Sequence, residues 1–140
     1  MPDPNKSGLE TVCKELGSAF RGVLSWKWDS RFGAVLAEFG AGKKESIRGI
    51  LERSLSTTWD SSNIDNAPDI VRTINSHLGG LRSGQLLFTT GPDREPLIFC
   101  AWWPWDDGKV ISIRIGSSYE KLSDSEKAEK IQLFKEWFGI

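Results

Sequence analysis

Histidine and cysteine are almost missing from this chain: one His and two Cys in 140 residues. His77, Cys13 and Cys100 cannot supply the ligands of an ordinary Cys/His zinc site, so no metal is expected. Two cysteines are also too few for the disulfide framework of a small secreted domain. Both are expected as reduced, buried thiols, one on a helix and one in a strand. An excess of either charge is lacking as well. The formal net charge is −1, and acids and bases balance 10 to 9 over residues 1–70 and 9 to 9 over residues 71–140. A nucleic-acid binder normally shows a basic excess that neutralises phosphates, so nucleic acid is not expected as a partner. No apolar run approaches the length of a membrane helix, and no polybasic patch adjoins an apolar helix. The opening Met1-Pro2-Asp3-Pro4-Asn5-Lys6 lacks the charged and apolar segments of a leader peptide. The expected protein is therefore soluble and cytoplasmic, with no membrane partner and no cofactor.

What the chain does have is regular patterning. Residues 1–6 read as a disordered polar tail and 7–140 as a single domain. Ser7 and Glu10 form a capping-box pattern ahead of Leu9, Val12, Cys13, Leu16, Phe20, Val23 and Leu24, whose spacing predicts a helix over about 8–24. Trp26–Trp28 and Ala34–Phe39 read as two strands around a turn. Ile47, Ile50, Leu51 and Leu55 predict a helix at about 44–56. Asn66-Ala67-Pro68-Asp69 resembles a helix start for Ile70, Val71, Ile74 and Leu78, with Gly79-Gly80 as the stop. Three strands follow at 85–90, 96–103 and 109–116, joined by turns at Gly91–Glu95 and Asp106-Asp107-Gly108. The middle one is apolar on both faces, as a covered central strand is. In the last, Ile111, Ile113 and Ile115 alternate with Val110, Ser112 and Arg114. Ser123-Asp124-Ser125-Glu126 is a second capping box opening a final helix. The order α-β-β-α-α-β-β-β-α, with short connections, predicts an α+β fold. Its sheet is antiparallel with about five strands, and helices pack mainly on one face.

Candidate sites are few. Gly40–Ser46 places a glycine turn before a helix, where Gly42, Lys43 and Lys44 are a possible anion contact. The nucleotide-loop pattern fails there at Ala37 and Lys44, so nucleotide binding is not expected. A hydrolase using Cys100 and His77 is disfavoured, because nucleophiles occupy turns and helix starts rather than mid-strand positions. Asp60, Asp65, Asp69, Asp106 and Asp107 stand in turns and caps that explain them locally.

The unusual residue is tryptophan, present seven times, with three copies in Trp102-Trp103-Pro104-Trp105. Alternation sets Trp103 and Trp105 on the face of Phe99 and Trp102 on the other. Pro104 interrupts the ladder next to the hairpin, which favours a rim position for Trp105. Trp102, Trp103, Trp105 and Trp137 are the expected binding surface. The function this supports is a non-catalytic protein–protein interaction module of the adaptor, chaperone or immunity type, a likeness of size and class only. Its partner is another protein or a second copy, with a homodimer as the expected form. The alternative is a small-ligand-binding protein with a Trp-lined pocket.

Overall fold

The computed structural model describes residues 4–91, 97–118 and 123–140. Helix α1 spans Pro4–Ala19, and strands β1 (Lys27–Asp29) and β2 (Ala34–Gly40) follow it. Helix α2 (Lys44–Ser54), strand β3 (Thr57–Trp59) and helix α3 (Asp69–His77) come next. Strands β4 (Leu86–Thr89), β5 (Ile98–Trp105) and β6 (Val110–Ser117) then precede helix α4 (Asp124–Trp137). All six strands form one antiparallel sheet in the order β1-β2-β6-β5-β4-β3. The fold is α+β, with one strand more than the sequence patterning suggests.

Most elements lie where periodicity puts them. The capping box at Ser123 is made in full: Glu126 N–H donates to Ser123 Oγ at 3.2 Å, and Ser123 N–H donates to Glu126 Oε1 at 3.1 Å. At the other end of the chain α1 begins at Pro4, ahead of the predicted cap at Ser7, and takes in residues 4–6 of the predicted tail. It stops at Ala19 rather than 24, because the chain turns at Gly22 with φ of +78°. Helix α3 starts at Asp69, and Asn66 belongs to a preceding 3₁₀ turn, Ile64–Asn66, instead of capping α3. Strand β3 is the addition. Its three residues pair with β4 from Thr57↔Thr89 to Trp59↔Leu87, and Trp59 Nε1–H donates to Thr89 Oγ1 at 3.1 Å. The predicted turn at Gly91–Glu95 lies outside the described residues from Pro92 onward.

Strand β5 divides the interior in two. Residues 98–103 are all buried, and alternation sends them into separate cores. On one face Ile98, Cys100 and Trp102 join Cys13 and Leu16 of α1, Phe20 just after it, Ile47 and Leu51 of α2, and Phe134 of α4. On the other, Phe99, Ala101 and Trp103 meet Val71, Ile74 and Leu78 at α3. Among the described helices, α1, α2 and α4 thus cover the first face and α3 the second. None of the described helices is long and apolar enough to cross a membrane.

Helices α1 and α4 touch through Gly17. A Cβ there would sit 2.1 Å from the carbonyl oxygen of Trp137, and backbone cannot yield as a side chain does. Gly17→Ala is expected to destabilise the fold by about 1–3 kcal/mol despite raising intrinsic helix propensity. Denaturant unfolding measures it; unchanged stability would mean the two helices are not so closely packed.

Candidate functional site

On the second face of the sheet α3 lies over β4 and β5, and β6 presents Ser112 and Arg114 beyond it. Arg114 is charged yet only 14% exposed, so it must be matched by partners. Its Nε–H donates to Asp29 Oδ2 at 2.8 Å across the sheet, and Asp29 is equally shielded. The guanidinium stacks 4.4 Å from the centre of the Trp103 ring and 5.5 Å from that of Phe32. Asp29 Oδ1 also accepts from the backbone N–H of Arg31 at 3.0 Å, which fixes the β1–β2 turn against Arg114. That turn lays Phe32 edge-on to Trp103, centroids 5.5 Å apart at 76°.

Ser112, 1% exposed, is the second fixed point. Its Oγ accepts from Trp105 Nε1–H at 2.7 Å and from Arg114 Nη1–H at 3.2 Å. Its own hydroxyl lies 3.5 Å from the Trp103 carbonyl oxygen. Trp105 is nonetheless 55% exposed, so one edge of the indole is anchored while the ring faces solvent. The rim position expected for Trp105 is thus observed, with its indole N–H held by the Ser112 hydroxyl.

The opposite wall comes from the loop after α3. Gly79 and Gly80 adopt φ of +94° and +90°, and Gly80 N–H reaches back to Asn75 O at 2.9 Å, ending the helix with a sharp reversal. Arg82 follows, its backbone N–H held by Gln85 Oε1 at 2.9 Å. Between this wall, Trp105 and the β1–β2 turn lies a groove of about 320 Å³. Three arginines line it (Arg31, Arg82 and Arg114), and none of the described acids does. Arg31 and Arg82 are exposed, and neither makes an ion pair among the described residues. The groove therefore combines cationic guanidinium groups with large aromatic rings, which suits a ligand carrying both negative charge and apolar surface.

The four tryptophans singled out from sequence do not share one surface. Trp103 and Trp105 line the groove. Trp102 is core, 5% exposed and set edge-on to Phe39 and Phe88 on the far side of the sheet. Trp137, half-buried against Phe134, packs on that same far side and not with Trp105. Gly42, Lys43 and Lys44 are all exposed at the turn into α2, and no side-chain hydrogen bond caps that helix start. Arg31, Arg82, Arg114 and Ser112 escaped the sequence reading, although Ser112 and Arg114 stood together on the polar face of β6.

Cys100 and His77 are not brought together. Cys100 is fully buried in the core shared with α1, α2 and α4, whereas His77 is exposed on α3, across the sheet. Burial pushes the thiols of both Cys100 and Cys13 far above the ordinary range. A raised pKa keeps the neutral thiol dominant through alkaline pH, so neither forms the reactive thiolate. Thiol reagents are expected to label both cysteines only after denaturant is added, at pH 7 and pH 9 alike; rapid labelling of the native chain would contradict their burial. Comparison with protein-family models, with characterised proteins and with solved structures finds no match in any of the three.

Proposed function

We propose that this chain is a non-catalytic binding module that docks a protein partner at the groove beside Trp105. One observation carries the reading: an indole 55% exposed to solvent is held in a single orientation by a buried serine, at the edge of an arginine-lined groove. A large aromatic surface fixed before binding loses little entropy on association, which is what interface anchors require. Arg114, already neutralised by Asp29, keeps the floor of the groove rigid. Arg31 and Arg82 bring open charge to its walls. Among the described residues no group of His, Cys, Asp and Glu could hold a metal. None of the described residues lining the groove is a nucleophile paired with a base, so binding suits it better than turnover.

A second reading rests on the volume. About 320 Å³ falls at the small end of ligand pockets, so a small anion with an aromatic part is the alternative occupant. Native mass spectrometry of the purified chain distinguishes them, since a retained small molecule favours this alternative.

Trp105→Ala and Trp102→Ala separate anchor from core. Trp102→Ala is expected to lose about 3–5 kcal/mol of stability. Trp105→Ala should unfold at nearly the parent temperature while association weakens by about 2 kcal/mol or more. Thermal unfolding and calorimetric binding to a purified, identified partner read the two effects. Full association by Trp105→Ala would remove the groove from the binding surface.

A further inference from the structure

Resting on the reading of the groove as a protein-docking site, we infer that its occupant is a second copy of this chain. The two copies pair about a two-fold axis on the α3 side of the sheet. The acidic β5–β6 hairpin of each copy meets the arginine-lined groove of the other.

The chain itself carries the complement of its groove. Asp106 and Asp107 form the hairpin tip directly after Trp105, and both are exposed. Neither makes an ion pair among the described residues. Both stand at positive φ, 51° and 54°, followed by Gly108 at 84°. Aspartate tolerates that conformation better than most side chains, but two in succession hold a pair of adjacent carboxylates out from the sheet end. Beside them Trp105 supplies an apolar ring, so the segment has the two properties the groove selects: negative charge and aromatic surface.

The sheet register then sets the polarity of the face. Trp105 pairs with Val110 at the hairpin end of β6, whereas Val35 pairs with Ile115 next to the β1–β2 turn that carries Arg31. Along β6 those ends are about 17 Å apart. Acid lies at one end, Arg31 toward the other, and tryptophan between, while Arg82, just ahead of β4 whose Leu86 pairs with Trp102, stands on the hairpin side. A patch with that order is self-complementary under a two-fold rotation: the acidic end of one copy falls on the basic end of its partner in both directions. The whole chain, at net charge −1, has no field to draw in a polyanion, so the charge match must be local.

Charge reversal tests this on the full chain by analytical ultracentrifugation. The parent is expected to be a dimer that weakens as salt rises. Arg31→Glu/Arg82→Glu and Asp106→Lys/Asp107→Lys should each be monomeric, because like charges then face each other twice. An equimolar mixture of the two variants should form a heterodimer, since both contacts are again of opposite sign. Asp106→Asn/Asp107→Asn retains a residue type suited to the left-handed turn, and should weaken the dimer at least about tenfold without lowering the unfolding temperature. A parent that stays monomeric at millimolar concentration overturns the inference, as do a dimer that survives both reversals and variants that do not pair when mixed. A monomeric parent that binds another protein through Trp105 overturns this inference alone and leaves the docking site standing. If Trp105→Ala dimerises or binds as the parent does, both fall.

Discussion

A guanidinium largely withdrawn from water has to be matched where it stands, and on this sheet that requirement fixes the geometry of the α3-side groove. Arg114 points out of the central strand β6 at a place that α3 does not reach. Its charge is met by Asp29 from the edge strand, its flat face by Trp103, and its remaining donors in part by Ser112. Breaking such a shielded pair from one side costs about 3–5 kcal/mol, because the surviving charge is left without a partner. The pair therefore ties β1 to β6 across the intervening β2. It also sets the β1–β2 turn over the sheet face, with Phe32 against Trp103 and Arg31 at the groove wall.

The same network explains how an exposed tryptophan can be ordered. A side chain half in solvent gains little from packing, and its orientation is normally lost to rotamer freedom. Ser112 removes that freedom for Trp105 through one short hydrogen bond. Because Ser112 also accepts from Arg114, the floor and the rim of the groove are held by one buried hydroxyl. Sheet alternation does the rest: residues two apart on β5 and β6 share a face, which is why Trp103, Trp105, Ser112 and Arg114 meet at all.

Much of the architecture was legible from residue order. Alternation in β6, the doubly apolar run of β5 and the capping box at Ser123 each specify their own element within a few residues. Strand β3 was not legible, because Thr57–Trp59 is too short to show a period and exists through its pairing with β4. The site was legible only in part. Trp105 at a strand rim follows from Pro104 and the hairpin, and the opposed faces of Trp102 and Trp103 follow from alternation. Grouping Trp137 with Trp105 failed, since sequence does not say which side of a sheet a terminal helix covers. The arginines failed for a related reason. Asp29 and Arg114 are 85 positions apart, and Arg31 and Arg82 stand in separate loops that only the fold brings to one groove.

The account turns on Ser112 holding Trp105 in place before anything binds. Hydrogen exchange of the Trp105 indole N–H, followed by NMR in the parent and in Ser112→Ala, tests this directly. With the ring 55% exposed, its hydrogen bond to Ser112 is the main source of protection. The parent indole is expected to exchange at least about tenfold more slowly than that of a free tryptophan, and the variant to lose most of this difference. An indole that exchanges at the free rate in the parent, or one equally protected without the serine hydroxyl, would contradict a preorganised anchor.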